Sequence, residues 1–307
     1  MTISTAYLFN RSVAGMDTLQ KTIANAQNQL TTGKQLNNPS DNPNQTNAIE
    51  VVQSAVNAQS GYQATIQQLT TRLNTQESAV QNTSDVLTRF KQLLLQANTS
   101  TASTQDRTSI ATEMQSLRDQ MLSAANTQDT NGNFVFSGAM GDTAAFSKGA
   151  DGTTRYTGDS SALKVTIGQN SSITLHSTGN KIFTNAARMT PSGSTVQVGF
   201  FQSLDDAIKA VGTNNAGGMS TAIGEADTLQ NGLTQSLSQI GTHLNTLSNQ
   251  ESNNESTKLQ LKSTLSTLQD VDYTTTITKL TTDMTSLQAA QSSFAQMSKL
   301  SIFNYLN

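Results

Sequence analysis

The chain has 307 residues, a formal net charge of −3, 13% charged and 5% aromatic residues, and neither Trp nor Cys. Its length admits two domains, and the absence of cysteine removes disulfides, thiolate metal sites and cysteine nucleophiles together. The slightly acidic balance leaves no electrostatic footprint for nucleic acid, and no run approaches the roughly 18 apolar residues that a membrane-spanning helix needs, so neither nucleic-acid binding nor membrane insertion is expected.

The opening Met1-Thr2-Ile3-Ser4-Thr5 lacks the basic start and apolar core of a cleavable signal, so any export is expected to proceed without one. The stripe Phe9, Met16, Leu19, Ile23, Ala26, Leu30 then keeps a three-four alternation, with Ser12 in its one missing place, which predicts a helix burying one seam. Thr31-Thr32-Gly33-Lys34-Gln35-Leu36-Asn37-Asn38-Pro39-Ser40-Asp41-Asn42-Pro43 reads as a loop, with a Gly at the helix stop. Next, Ala48, Val52, Ala55, Tyr62, Ile66, Leu69, Leu73, Val80, Leu87, Phe90, Leu94 and Ala97 fit a heptad, predicting roughly 75 Å of helix with Gly61 as its weak link. A shorter helix carries Ile110, Met114, Leu117, Met121 and Ala124, opened by Ser103/Thr104 with Asp106 in its first turn.

Beyond residue 130 the period changes. Asn131-Gly132 is a turn dipeptide, Phe134-Val135-Phe136 and Leu163-Lys164-Val165-Thr166-Ile167 read as short strands, and glycines recur between them. Helical spacing resumes at Leu204 and Ile208, breaks at Gly217-Gly218, and continues as a second long helix through Leu229, Leu233, Leu237, Ile240, Leu244, Leu247, Leu261, Leu265 and Leu268. The last stripe is Ile277, Leu280, Met284, Leu287, Phe294, with Gln291 interrupting it, before the finish Leu300-Ser301-Ile302-Phe303-Asn304-Tyr305-Leu306.

The expected fold class is therefore mainly α with a β-rich insert: a long antiparallel, coiled-coil-like helical rod formed by N- and C-terminal segments, with the β domain at its tip. Three domains are expected, namely residues 1–45 with 270–307 as a terminal helical domain, 46–130 with 215–269 as a long-helix rod, and 131–214 as the insert. Apolar termini need something to bury against. The expected assembly interface is accordingly Phe9, Met16, Leu19, Ile23, Leu30, Ile277, Leu280, Met284, Leu287, Phe294, Leu300, Ile302, Phe303 and Leu306. A Thr-rich stretch from Thr274 to Thr282 lowers helix propensity, so both ends are expected to become helical only when neighbouring chains enclose them.

Catalytic and cofactor motifs are near misses. Gly33-Lys34 resembles the close of a P-loop, but Asn28 stands at its first Gly and Gln35 where Ser or Thr must hold magnesium. Asp129, Asn131 and Asn133 imitate an EF-hand start, yet Phe134 replaces its Gly and Met140 its Glu, so a turn is expected. His176 and His243 lie in different regions and form no zinc pair. The pairs Asp270/Asp272 and Asp205-Asp206 make no acid/base dyad, the second being expected in the first turn of a helix where anions oppose the dipole. No catalytic residue, cofactor or metal is expected, and the chain is read as not an enzyme.

At both ends the residues resemble the flagellin superfamily. Leu30-Thr31-Thr32-Gly33-Lys34 and Asn38-Pro39-Ser40-Asp41-Asn42-Pro43 are similar to that family's LSTG and DDP stretch, with Asn42 departing from its second Asp. Gln288-Ala289-Ala290 and the finish Leu300 to Leu306 resemble its terminal helix. Gly132-Asn133-Phe134-Val135-Phe136-Ser137-Gly138, Phe146 and Arg155-Tyr156-Thr157-Gly158-Asp159 look like insert motifs of its hook-filament junction branch, and the resemblance spans nearly the whole chain.

What the resemblance implies is a non-catalytic adaptor of the bacterial flagellum, exported by the flagellar type III apparatus and external to the cell. Its implied partners are the preceding junction protein, flagellin, further copies of itself in a heterologous ring or helical layer, and an export chaperone at the C-terminal helix. The terminal domain would form the inner core. A filament-forming flagellin remains as an alternative, and more remotely a secreted coiled-coil effector or a surface enzyme.

Overall fold

Each heptad stripe becomes a helix whose ends are set by local side-chain chemistry. A computed structural model describes residues 2–175, 177–190 and 194–303, with side chains from residue 7 to residue 298. Helix α1 runs Thr2–Thr32, α2 Pro43–Ala97, α3 Thr104–Ala125, α4 Gly179–Ile182, α5 Phe200–Gly212, α6 Ala216–Gln269 and α7 Tyr273–Phe303. Asn42 caps α2, its side-chain oxygen accepting the Gln45 N–H at 3.2 Å, with Pro43 in the first helical position where no N–H is needed. Ser103 and Asp106 form a reciprocal capping box on α3 at 3.0 and 3.1 Å. The Ser103 hydroxyl and backbone N–H hold the Asp106 carboxyl below the usual carboxylate range.

The insert is built of three separate antiparallel ribbons: β1 Phe146–Lys148 with β2 Thr154–Tyr156, β3 Leu163–Gly168 with β4 Ser171–Leu175, and β5 Ala186–Met189 with β6 Thr195–Val198. The Leu163 strand is found where alternation placed it. Phe134–Phe136 is not a strand. Phe134 makes an isolated bridge to Gln128, and the chain turns through Val135 and Phe136, which are both buried. Their apolarity reflects core burial from a turn, which short-range periodicity does not distinguish from a strand. The Asp129 segment is the expected turn, its carboxylate accepting the Asn131 and Asn133 N–H groups at 2.8 and 3.0 Å around Gly132 at φ +83°.

Two other expectations shift. The break before the second long helix falls at Thr213–Asn215, with Asn214 at φ +52°, and Gly217-Gly218 belong to the first turn of α6. Asp205-Asp206 lie beyond the first turn of α5, and two arginines account for them rather than the helix dipole. Arg118 of α3 bonds Asp205 at 2.9 and 3.2 Å, and Arg188 of β5 bonds Asp206 at 2.7 Å. Arg188 also clasps Glu225, which is 2% exposed and receives the Ser203 hydroxyl at 2.5 Å. Both acidic groups raise the Arg188 pKa further, Glu225 foremost.

The chain divides into two compact units, one of residues 1–60 with 256–307 and one of Gly61–Glu255. The second holds the hydrophobic core. Ile66, Leu73, Phe90 and Leu94 of α2, Met114 and Met121 of α3, Leu229 and Leu233 of α6, and the aromatic cluster Phe136, Phe146, Phe183, Phe200, Phe201 are all buried there. Arg72 and Gln76 of α2 tie the Phe134 turn down through the Val135 carbonyl, at 3.0 and 2.6 Å. In the first unit, Ala26, Val56 and Val271 are the buried apolar side chains among the described residues.

Candidate assembly interface

In the terminal unit, the ends of the long helices are turned back by hydrogen-bonded loops. Gly33, at φ +69°, stops α1, its N–H still reaching the Gln29 carbonyl at 2.9 Å. The next residues pair with the α6–α7 turn: Gln35 N–H to Gln269 O at 2.7 Å and Val271 N–H to Gly33 O at 3.0 Å, an antiparallel bridge centred on Lys34 and Asp270. Gln45 adds a third tie, its amide donating to the Leu268 carbonyl at 2.7 Å and to Gln35 at 3.0 Å.

Asp272 then caps α7. Its carboxylate accepts the Thr275 hydroxyl at 2.7 Å and the Thr274 and Thr275 N–H groups at 2.9 and 3.2 Å, with the Thr275 hydroxyl the main cause of its lowered pKa. Asp270 instead receives the Ser266 hydroxyl, a side-chain bond within one helical turn, so the two acids bond separate groups. Among the described residues no cluster of three or more His, Cys, Asp or Glu side chains forms a metal site, and no helix is long and apolar enough to cross a membrane.

From this clamp α1 and α7 run back together as an antiparallel pair. Gly33 is level with Val271, and Phe9 meets Phe294 with ring centroids 4.3 Å apart. The described parts of α1 and α7 are thus helical and paired with each other within one chain. The clamp supplies the physical reason. It holds the two helices side by side, so each offers the other an apolar seam without the entropy cost of bringing separate segments together.

The predicted interface residues divide accordingly. Met16, Leu19, Ile23 and Leu30 of α1 and Leu280, Leu287 and Phe294 of α7 are half-buried. Phe9, Ile277 and Met284 are exposed, at 38%, 49% and 51%. Leu300, Ile302 and Phe303 lie on α7 past the last described side chain, and Leu306 lies outside the described residues, as does His176. Tyr7, Leu8, Val13 and Met297 are exposed apolar positions that the sequence stripe missed, because they stand off the three-four alternation, and exposed Tyr273 stands on it one place before the stripe begins. The glutamine clamp was also not legible, since Gln45 and Leu268 are 223 positions apart and no apolar signal marks them. Asp283 sits half-buried among the seam positions of α7, with Oδ2 covered and without a hydrogen-bond partner in the chain.

Two protein-family models match the chain, the bacterial flagellin N-terminal helical region over residues 3–140 and the bacterial flagellin C-terminal helical region over residues 223–306. Flagellar hook-associated protein 3 of Escherichia coli strain K12 is 31% identical over 316 residues, covering 99% of both chains. Its namesake in Salmonella typhimurium is 28% identical over the same span and coverage. Among solved structures, flagellar hook-associated protein 3 from Legionella pneumophila superposes with a TM-score of 0.66 at 18% identity, covering 72% of this chain and 98% of that one.

Proposed function

Because the chain belongs to the bacterial flagellin family, we propose that it is a structural subunit of the flagellum, seated at the hook-filament junction and assembling through its terminal helices. One observation carries the reading. Of the fourteen large apolar side chains left exposed among the described residues, ten belong to residues 1–60 and 256–307; the other four are Leu95, Met140, Met189 and Val196. A unit with three buried apolar side chains and ten exposed ones is organised to be covered by others.

The partners that fit are the preceding hook-associated junction protein, flagellin, and further copies in a heterologous layer, since helices presenting unlike faces to successive neighbours build rings or helices rather than closed dimers. An export chaperone would take α7 in a groove. Export without a cleavable signal, an extracellular place and a non-catalytic role complete the reading. Residues 1–45 and 270–307 would form the innermost layer, 46–130 and 215–269 the next, and 131–214 the insert.

The test is incorporation into flagella of cells lacking their junction subunit. Met284→Asp alters an exposed side chain, so the chain should stay folded by circular dichroism while filament attachment is lost, because burying an unpaired carboxylate between subunits is costly. Phe294→Asp should do the same and also loosen the Phe9 contact. Normal filament growth in the Met284 variant counts against the proposal. Long filaments grown by the purified wild-type chain alone would favour a filament flagellin instead.

A further inference from the structure

Three of the 19 glycines follow an Asn or an Asp, at Asn131-Gly132, Asp151-Gly152 and Asn231-Gly232. Without a Cβ, glycine lets its backbone nitrogen approach the carbonyl carbon of the preceding side chain, and these dipeptides are where a chain most readily closes a five-membered succinimide ring. By sequence the two Asn-Gly pairs are equivalent. The fold treats them differently.

Asn131 and Gly132 are both exposed, in the Asp129 turn. The backbone N–H of Asn131 is held by Asp129 Oδ1 at 2.8 Å, but its side-chain amide makes no hydrogen bond among the described residues. A Cβ at Gly132 would meet nothing within 4 Å, so the Asn131 carboxamide has open space in which to swing onto the Gly132 nitrogen. A single bond restrains that nitrogen, from its N–H to the Asp129 carbonyl at 3.0 Å. Opening it exposes no buried apolar side chain, since Thr130, Asn131 and Gly132 already face water.

Asn231 is exposed as well, yet it and Gly232 lie inside α6. Ring closure there requires the Asn231 ψ to leave the helical value of about −42°. Gly232 is also packed against Thr184, whose hydroxyl would stand 2.2 Å from an added Cβ, and Leu229 and Leu233 on either side are fully buried. Asp151 is protected chemically. Its Oδ1 accepts the Thr153 hydroxyl and N–H at 2.7 and 3.1 Å and its Oδ2 is engaged by Arg155. These bonds, the Thr153 hydroxyl foremost, hold the carboxyl below the usual carboxylate range, and an ionised carboxylate resists attack by an amide nitrogen.

We propose that Asn131 is a site of spontaneous deamidation, selected by the exposed turn, and that the fold protects Asn231 and Asp151. Solvent hydroxide takes the Gly132 amide proton, the nitrogen attacks Cγ of Asn131, and the new N–Cγ bond replaces the Cγ–Nδ2 bond. Nδ2 takes up a proton from water and leaves as ammonia. Water then opens the succinimide at either carbonyl, giving aspartate or isoaspartate. Either product sets a second carboxylate beside Asp129. Isoaspartate also adds a methylene to the main chain within the turn, a few residues before Val135, through whose carbonyl Arg72 and Gln76 anchor it.

The test is incubation of the full-length chain in mildly alkaline buffer, folded and in guanidinium chloride, followed by peptide mass mapping. In the folded chain, conversion at 131 should outpace conversion at 231 by about tenfold or more, with the Asp151 peptide unchanged in chromatographic position. In denaturant the two asparagines should convert at comparable rates. Comparable rates in the folded chain, or an unreactive Asn131 where the unfolded chain reacts, overturn the proposal. A tenfold preference that persists in denaturant also overturns it, by assigning the selection to sequence rather than fold. Asn131→Gln alters an exposed side chain without a partner and should remove most of the acidic species that accumulates on isoelectric focusing of the folded chain. Its undiminished accumulation places the modification elsewhere and overturns the assignment.

Discussion

Gly138 has φ +72°, and a Cβ there would stand 2.2 Å from the Asp159 carbonyl oxygen. Gly138→Ala therefore combines a disfavoured backbone region with a clash against backbone, and should destabilise the central unit by about 2–4 kcal/mol in denaturant unfolding. Glu225 is the buried partner of Arg188, and removing it leaves a guanidinium with Asp206 alone. Glu225→Ala should cost about 3 kcal/mol by the same measurement. The pH dependence of the α6–α7 turn follows from Asp272, whose carboxyl is held below its ordinary value by Thr275 and Thr274. A lowered folded pKa stabilises at neutral pH and is lost as pH falls through the folded value, below about 4. Amide shifts of Thr274 and Thr275 should move over that acid range, and Asp272→Asn, which keeps an oxygen acceptor but does not titrate, should abolish the movement.

At the scale of elements, some glycines of the long helices meet a steric need and others do not: a Cβ at Gly232 of α6 would stand 2.2 Å from the Thr184 hydroxyl. A Cβ at Gly61, in the interior of α2, would meet nothing within 4 Å. Gly61→Ala should therefore raise stability by about 0.5–1 kcal/mol, through the helix propensity of alanine, without moving any neighbour. Ser103→Ala removes the side-chain half of the α3 capping box and should cost about 1 kcal/mol. The ribbons depend on the helices beneath them. β3 is tied to α6 by the buried Asn254 amide, which donates to the Ile167 carbonyl at 2.8 Å. An isolated two-stranded ribbon is marginal in water, so such ties, together with the Phe146–Phe183–Phe201 cluster, hold the insert in place.

For the whole molecule, the two units differ in kind. The central unit is one uninterrupted segment, Gly61–Glu255, with its own core, whereas the terminal unit is made from the two remote ends of the chain. A fragment of residues 61–255 should fold and unfold cooperatively by circular dichroism, yet fail to enter flagella. Loss of cooperativity in that fragment would show that the terminal unit is needed for the core to form.

Much of this molecule was determined by sequence alone. Heptad spacing located both long helices, their buried Ile66, Leu73, Leu229 and Leu233, and the terminal stripes, because a helical period repeats over enough residues to stand above local noise. Short-range turn chemistry also placed the Asp129 turn and the Ser103 cap. Tertiary structure decided what depends on remote partners. It made Phe134–Phe136 a buried turn rather than a strand, assigned Asp205 and Asp206 to arginines 87 and 18 positions away, and paired the two ends through a glutamine clamp. The same structure set which residues of α7 face α1, half-burying Asp283 and exposing Met284. Periodicity gives the apolar side of a helix, but the partner against which it packs determines how that side is turned.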